Sequence, residues 1–382
     1  MLIRYVISLC IVTVLIMSAG CAAAEPTLIE ASTITPSLTT TPPTVTTTAS
    51  PTNAATPTLT ATPIPLPPTQ TAVLPIKINP QNLAPITADT AAQVERLNIL
   101  SGHSDRVTTI VFSWDGVYLA SASWDRTAKL WDVWNGQEAS TFHISRVDLN
   151  AIAFSPVENL LASSDAIWDV ESLQVVHTLG QGSQEPGHVA FSPDGSILAV
   201  AIAGRPVTLW DLASGQVLRT LEESGAIYTF AVEFSPDGTL LAAGEHGGIV
   251  RLWNVASGQI VGTLDYGNDS DVHDVAFSPD GSFLASAGTD NTVRLWDLAS
   301  RQLMQTLRHG NGMYGVTFSP DGSLVASAVC DRTVKLWEVA SGRLLRSLPH
   351  ADELFTVAFS PVGTLLASAG YDNLIYLWGV TR

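Results

Sequence analysis

The feature that most constrains the fold of this chain is a unit of about 41 residues that recurs seven times in its last three quarters. The unit ends in a tryptophan, found at Trp131, Trp168, Trp210, Trp253, Trp296, Trp337 and Trp378. A phenylalanine recurs in phase, at Phe112, Phe154, Phe191, Phe234, Phe277, Phe318 and Phe359. Repeats of this length stack against their neighbours, because one unit cannot bury its apolar faces alone.

Each unit carries the signals of four short strands. In the clearest copy, Ser278-Pro279-Asp280-Gly281 is typical of a type I turn, because proline fixes φ and glycine frees the chain. Apolar and polar residues alternate from Phe283 to Ala287 and from Val293 to Trp296, as in half-buried strands. The pattern predicts an all-β fold, a seven-bladed β-propeller of four-stranded antiparallel blades, over residues 94–382.

The two ends of the repeat region predict how the ring closes. The seventh copy stops soon after Trp378 and so lacks a fourth strand. A strand without a blade precedes the first copy, at Arg96 to Leu100, and Leu100 matches Leu264 and Leu307 in fourth strands. We expect this strand to pair with the last blade, since closure removes two open sheet edges.

The endings of the units resemble those of a known family. They read Leu-Trp-Asp at Leu130-Trp131-Asp132, Leu209-Trp210-Asp211 and Leu295-Trp296-Asp297, with Gly102-His103 upstream of the first copy. This resembles the WD-repeat (WD40) family of β-propellers, and the resemblance covers roughly residues 94–382. The resemblance is highly specific for the fold and almost uninformative about the partner. Our interpretation of the whole chain is a non-catalytic scaffold that binds a protein or peptide.

The resemblance also implies a hydrogen-bonded staple inside each blade. Its members are a histidine before the first strand, a hydroxyl residue in the second, an aspartate before the third, and the tryptophan. Only the first, sixth and seventh copies hold all of them. The candidate staple residues are His103, Ser121, Asp125, Trp131, Asp290, Trp296, His309, Ser327, Asp331, Trp337, His350, Ser368, Asp372 and Trp378. We therefore expect the region around the closure to be the most rigid part of the ring.

The second copy departs from the others, because it has five fewer residues between its second strand and Trp168 than the first copy has before Trp131. The shortening predicts a truncated hairpin, and therefore a notch or a three-stranded blade. A docking notch and simple drift in a tolerant loop are both compatible with it.

One face of the ring is expected to gather the residues that contact a ligand. They come from the turn before each third strand and from the positions four and six before each phenylalanine. The candidates are Arg106, Trp124, Asp148, Tyr228, Phe230, His246, Asp271, His273, Tyr314, Cys330, Glu353, Phe355 and Tyr371. Aromatic groups beside carboxylates favour a protein or peptide ligand, or a sugar. The alternative is an ordinary rim whose aromatic side chains seal the blades.

The sequence offers no catalytic or metal constellation. The phase of His and Asp with the repeat is explained by the staple, and the other histidines lack metal-ligand spacing. We expect no enzyme, no metal and no cofactor. A propeller-based hydrolase or lyase is the second hypothesis, which would need a clustered acid–base pair with perturbed pKa values in a deep axial pocket. A structural surface component, without a preferred patch, is the third.

The first 21 residues resemble the export signal of a bacterial lipoprotein. Arg4 precedes an apolar run from Tyr5 to Met17, which is too short for a membrane span. Ser18-Ala19-Gly20-Cys21 then resembles a lipobox, although that family usually has leucine where Ser18 stands. We expect residues 1–21 to be a signal peptide and Cys21 to carry a lipid, which would place the domain on the outer side of the cell membrane. Ordinary secretion and an uncleaved anchor are the alternatives.

Composition indicates the setting of the domain. Residues 26–72 contain 17 threonines and ten prolines and only one charged residue, so we expect residues 22–93 to be a disordered tether with a transition. A glycosylated stalk is the alternative. The net charge of −17 would repel phosphate backbones, which excludes nucleic acid as the expected partner. We expect a monomeric domain that touches the membrane only through its lipid.

Overall fold

The strands of the chain form seven antiparallel sheets. A computed structural model describes residues 77–143, 151–179, 187–221, 228–267 and 269–382. The first strand of each sheet packs beside the first strand of the next, and that of the seventh packs beside that of the first. The seven-bladed all-β propeller predicted from the repeat is therefore confirmed, with one blade for each of the seven recurring tryptophans.

The strands follow the order of the repeats. Two 3₁₀ helices, Pro80–Asn82 and Ala91–Gln93, flank β1 (Leu83–Ala84) and precede β2 (Glu95–Ser101). Blade 1 is β3 (Val107–Phe112), β4 (Tyr118–Ser123), β5 (Thr127–Asp132) and β6 (Gln137–His143). Blade 2 is β7 (Ala153–Phe154), β8 (Leu160–Ala162), β9 (Ala166–Asp169) and β10 (Val175–Thr178). Blade 3 is β11 (Gly187–Phe191), β12 (Ile197–Ile202), β13 (Val207–Asp211) and β14 (Gln216–Leu221).

The later blades are more regular. Blade 4 is β15 (Thr229–Phe234), β16 (Leu240–Glu245), β17 (Ile249–Asn254) and β18 (Ile260–Asp265). Blade 5 is β19 (Val272–Phe277), β20 (Phe283–Gly288), β21 (Thr292–Asp297) and β22 (Gln302–Arg308). Blade 6 is β23 (Met313–Phe318), β24 (Leu324–Val329), β25 (Thr333–Glu338) and β26 (Leu344–Pro349). Blade 7 is β27 (Leu354–Phe359), β28 (Leu365–Gly370) and β29 (Leu374–Thr381), completed from the N-terminal side.

That completion is the predicted closure. Strand β2 pairs antiparallel with β29, from Glu95 opposite Gly379 to Ser101 opposite Leu374. Strand β1 pairs with the end of the same strand, with Leu83 opposite Thr381. The last blade thus takes its outer strand from the N-terminal side of the domain, as predicted.

The core lies between the blades rather than inside any one of them. Trp337 of blade 6, for example, is buried in one cluster with Ala285 and Leu295 of blade 5. Trp296 of blade 5 is buried in the same way against Leu252 of blade 4. Because each sheet hides its apolar side chains against its neighbour, the ring is stable only as a closed stack.

The folded region begins earlier than the sequence predicts. Residues 77–93 contain ordered elements, and Ile86 and Val94 are buried against blades 6 and 7. The N–H of Ile86 donates to the carbonyl of Gly363 at 2.8 Å. Residues 77–93, which the sequence assigned to the transition between tether and domain, are therefore packed on the propeller. The signal peptide, Cys21 and the threonine-rich segment lie outside the described residues.

Blade 2 has four strands, in the order β7, β8, β9, β10. The prediction that allowed a three-stranded blade is wrong on that point. The shortening is spread over the strands, which have two to four residues each. Each strand has fewer backbone hydrogen bonds, but all four strands still pair. The blade therefore keeps its place in the ring.

The two faces of the ring differ in their connections. In an antiparallel blade, the turns from first to second and from third to fourth strand lie at one end, here named the turn face. The turns from second to third strand and the links between blades lie at the other end, here named the loop face. On the turn face, the Ser278 hydroxyl donates to Asp280 at 2.6 Å, and Gly281 takes the positive φ of 71° that the turn requires.

Within the residues that the structure covers, no helix has both the length and the apolar character needed to cross a bilayer.

Candidate binding face

Blade 1 contains a complete staple. Nδ1–H of His103 donates to the carboxylate of Asp125 at 2.8 Å, and Nε2 accepts from the hydroxyl of Ser121 at 2.7 Å. The same hydroxyl oxygen accepts from the indole N–H of Trp131 at 2.8 Å. Burial lowers the pKa of His103, so the ring is neutral. Burial would raise the pKa of Asp125, but hydrogen bonds from Thr127 and His103 hold that pKa at about 2.

Blade 7 keeps only part of this arrangement. Nε2 of His350 accepts from the hydroxyl of Ser368 at 2.7 Å, and that oxygen accepts from the indole N–H of Trp378 at 2.7 Å. Asp372, however, accepts from the hydroxyl of Tyr376 at 2.8 Å, and Nδ1–H of His350 donates to the carbonyl of Leu348 instead. The aspartate therefore does not orient the histidine in this blade.

Blade 6 lacks the histidine bonds, so the predicted staple is wrong there. Among the described residues, neither ring nitrogen of His309 has a hydrogen-bond partner, although both are buried. Asp331 pairs instead with Lys335, while Trp337 still donates to Ser327 at 3.2 Å. Burial, with the charge of Lys335 nearby, lowers the pKa of His309 to about 3.

The residue two places before the tryptophan decides which partner the aspartate takes. In blade 6 this residue is Lys335, which forms an ion pair with Asp331. The corresponding residue of blade 1, Lys129, donates to Glu138 at 2.8 Å and leaves Asp125 to its histidine. An acidic residue on the fourth strand thus protects the staple of blade 1.

Blade 5 replaces the histidine with a tyrosine that the sequence reasoning missed. The hydroxyl of Tyr266 donates to the hydroxyl oxygen of Ser286 at 2.8 Å. That serine oxygen also accepts from the indole N–H of Trp296 at 2.8 Å. Asp290 is held by Arg294 at 2.8 Å, whose guanidinium lies 3.9 Å from the centroid of the Tyr266 ring. Tyr266 stands two residues before the histidine position, which is why a search at fixed spacing passes over it.

The two groups of residues predicted for the loop face lie next to each other. In blades 1, 4, 5 and 7 the residue before the turn donates its N–H to the carbonyl of the residue six before the phenylalanine. The pairs are Trp124 with Arg106, His246 with Tyr228, Thr289 with Asp271 and Tyr371 with Glu353, at 2.9 to 3.1 Å. Each turn is thereby drawn over the mouth of the central channel.

A continuous row of half-buried aromatic rings follows this mouth, named here the aromatic arc. It runs through Phe230 of blade 4, His273 of blade 5, Tyr314 of blade 6, and Phe355 and Tyr371 of blade 7. Successive ring centroids are 5.0, 5.0, 5.1 and 4.6 Å apart. The first four are equivalent residues of consecutive blades, so the repeat itself places them side by side.

Arg106 extends the aromatic arc into blade 1. Its guanidinium carbon lies 4.3 Å from the ring centroid of Tyr371 and 4.1 Å from that of Trp124. A guanidinium over the face of an aromatic ring is attracted by the ring quadrupole. The arginine therefore joins the two blades that meet at the closure.

Two carboxylates flank the arc. Asp271 is hydrogen-bonded to Nδ1 of His246 across the boundary between blades 4 and 5. Glu353 lies near two tyrosines of the arc: burial, with the charges of Tyr371 and Glu353 nearby, raises the pKa of Tyr314 to about 12. The loop face thus combines aromatic surface with negative charge.

Two predicted residues of the face stand apart. Cys330 makes the equivalent backbone bond to Gly312 at 3.0 Å, but its side chain is only 3% exposed, so the prediction that it is exposed is wrong. Asp148 lies outside the described residues. His246 is exposed on the surface, and the assignment of the remaining residues to a ligand stays a prediction.

Two carboxyl groups on the first strands of blades 4 and 5 have raised pKa values. Burial raises the pKa of Glu233 to about 8 and that of Asp274 to about 7. Glu233 accepts from the N–H of Phe277 at 2.7 Å, and Asp274 from that of Val316 at 2.8 Å. Both bonds cross from one blade to the next, and both pKa values move upward, so the pair holds strands together and does not separate an acid from a base.

Among the residues that the structure describes, no group of three or more His, Cys, Asp or Glu side chains is arranged to hold a metal ion.

Comparison with known proteins agrees with the geometry. The family model "WD domain, G-beta repeat" matches residues 94–132, 215–254, 258–297, 301–338 and 342–379, about half of the chain. The chain belongs to the WD40 repeat family. The two unmatched units end at Trp168 and Trp210, where blade 2 has short strands and blade 3 has Gly204 in place of the aspartate. WD40 propellers are, as a family, protein-interaction scaffolds.

Its relatives are similar over single segments. A WD repeat-containing protein 26 homolog of Arabidopsis thaliana is 32% identical over 122 residues, 30% of this chain and 21% of that protein. An uncharacterized WD repeat-containing protein of Synechocystis is 31% identical over 159 residues, 38% of this chain and 42% of that protein. Small ribosomal subunit protein RACK1 of Drosophila melanogaster is 29% identical over 127 residues, 31% of this chain and 39% of that protein. The matches thus span less than half the length of these WD40 relatives.

Proposed function

We propose that this WD40 propeller is a non-catalytic scaffold that binds a protein or peptide across the aromatic arc. The observation that carries the proposal is the unbroken contact of five rings over four blades, with Arg106 and Trp124 continuing it into a fifth. Rigid aromatic side chains provide large contact areas at low cost in conformational entropy, which is why they dominate protein interfaces.

The ring supports this role by fixing the arc in place. Each ring of the arc contacts the next ring along it, and the first strands of the seven blades pack in a closed circle. A surface that is ordered before binding loses little entropy when a ligand arrives. The rings also help to seal the blades, but their half-buried faces remain available at the mouth of the channel.

Selection from a random dodecapeptide library on the full chain tests the proposal. We expect the library to yield peptides that bind the wild type. Their affinity for the double variant Tyr314→Ala/Phe355→Ala should be lower by about tenfold or more, since each aromatic anchor contributes about 1 kcal/mol or more to binding. The matched control is Leu218→Ala/Met304→Ala, which removes exposed apolar side chains from outer strands. Peptides that bind all three proteins equally would contradict the arc as the binding surface.

We further propose that the scaffold is displayed on a bacterial cell envelope through a lipid on Cys21. The support is the sequence of residues 1–21, with its apolar run and lipobox-like end, followed by the threonine- and proline-rich segment. Fractionation of cells that express the wild type or Cys21→Ser tests this. A wild-type protein in the membrane fraction and a soluble Cys21→Ser protein are expected, and identical fractions would overturn the anchor.

A further inference from the structure

The loop face holds a buried carboxylate oxygen that the described residues leave without a hydrogen-bond donor. The atom is Oε2 of Glu353. The backbone around it is well bonded, since the carbonyl of Glu353 accepts from Tyr371 at 2.9 Å and its N–H donates to Asp352 at 2.9 Å. A buried oxygen that has lost water and gained no donor is costly. The position of Glu353 is therefore suited to a donor that arrives with a ligand.

The surroundings of this oxygen are aromatic. Glu353 lies close enough to Tyr314 and Tyr371 to raise the pKa of both hydroxyls, together with their burial. Phe355 lies between these two rings, at 5.1 Å from Tyr314 and 4.6 Å from Tyr371. A donor that reaches Glu353 thus comes to lie beside ring faces, which attract cations.

The same face already holds one guanidinium in this way. Arg106 lies against the rings of Tyr371 and Trp124, at 4.3 and 4.1 Å from their centroids. The geometry shows that this part of the arc accommodates a planar cation between aromatic side chains. The charge of the chain, −17 in total, also favours the approach of a basic ligand.

We infer that the peptide bound on the loop face presents an arginine side chain, whose guanidinium donates to Oε2 of Glu353 and lies on the rings of Tyr314 and Phe355. The inference rests on the proposed binding function and adds the class of ligand. Arginine fits better than lysine, because its guanidinium is planar, stacks on rings and offers donors in a fixed fork that matches a carboxylate.

Two synthetic pentapeptides test the inference on the full chain. Both are acetylated and amidated; one reads Ala-Gly-Arg-Gly-Ala, and the other has citrulline, which is uncharged and similar in shape, in place of arginine. Calorimetric titration should give a Kd for the arginine peptide about tenfold or more below that of the citrulline peptide, as expected for a charge-assisted bond. Glu353→Gln should abolish the difference. Glu158→Gln, the same change at an exposed site on the turn face, should preserve it.

Each other outcome decides one of the two proposals. If both peptides bind the wild type with equal affinity and neither binds Phe355→Ala, the arginine assignment is overturned and the binding function stands. A preference for arginine that persists in Glu353→Gln would overturn the role of Glu353. Binding of neither peptide, while the dodecapeptide library yields arc-dependent binders without arginine, would also overturn the inference. If the library yields no arc-dependent binder either, the binding function fails as well.

Discussion

Two histidines in equivalent positions should respond in opposite ways to the same substitution. His103 is bonded to Asp125 at 2.8 Å and to Ser121 at 2.7 Å, whereas both ring nitrogens of His309 are buried without a partner among the described residues. His103→Leu removes a charge-assisted bond and a neutral one and leaves Asp125 without its histidine. The expected loss is about 3 kcal/mol, or about 6 °C in Tm for a domain of this size.

His309→Leu removes two buried polar atoms that gain nothing from folding. Their cost is about 1–3 kcal/mol each, against which stands the loss of the ring contact with Trp337, at 4.9 Å between centroids. We expect a Tm that is unchanged or higher. Differential scanning calorimetry of the two variants and the wild type measures both effects. Equal losses in Tm, or a larger loss for His309→Leu, would refute the reasoning.

Two further predictions concern the two carboxyl groups with raised pKa values and blade 5. Burial raises the pKa values of Asp274 to about 7 and Glu233 to about 8, so the folded state favours their neutral forms. Their contribution to stability is complete below about pH 4 and is lost as the pH rises toward 8. The loss is on the order of 2 kcal/mol per group, because both residues are only half-buried. Asp274→Asn should flatten the fall of Tm with pH, and an unchanged slope would contradict it. Tyr266→Phe removes the hydroxyl that donates to Ser286 and should cost about 1 kcal/mol, whereas a neutral effect on the urea midpoint would show that the bond is not part of a staple.

The architecture could be predicted because it depends on the spacing of a few residues. The recurring tryptophan gives the number of blades, and the missing fourth strand after Trp378 gives the closure by β2. Both follow from the rule that apolar faces and sheet edges must be covered, whatever the individual side chains do. The juxtaposition of turn and first-strand residues, such as Tyr371 and Glu353, follows from the same periodicity.

The staples could not be predicted as well, because they depend on competition between neighbouring side chains. Asp125 and Asp331 occupy the same position, yet one bonds a histidine and the other bonds Lys335. The difference comes from Glu138, which holds Lys129 in blade 1 and has no acidic equivalent in blade 6. A pattern of residue types at fixed spacing does not contain this information.

The extent of the domain was also beyond the sequence pattern. Residues 77–93 lack the period of the repeats, and their place is set by bonds to distant parts of the chain, such as Ala88 to the hydroxyl of Ser323 at 3.2 Å. The expectation that the region around the closure is the most rigid stays a prediction. Blade 1, with its complete staple, is the part of that region for which the structure gives the strongest reason to expect slow hydrogen exchange.

We propose the loop face, with its aromatic arc, as the surface where a ligand binds. The most direct test is photo-crosslinking of a library-selected peptide to full-length chains that carry p-benzoylphenylalanine in place of Tyr314 on the loop face or of Val362 on the turn face. Val362 is 61% exposed and Tyr314 is half-buried, so neither position lies in the core. We expect crosslinks from position 314 and none from position 362; crosslinks from position 362 alone would show that the peptide binds elsewhere.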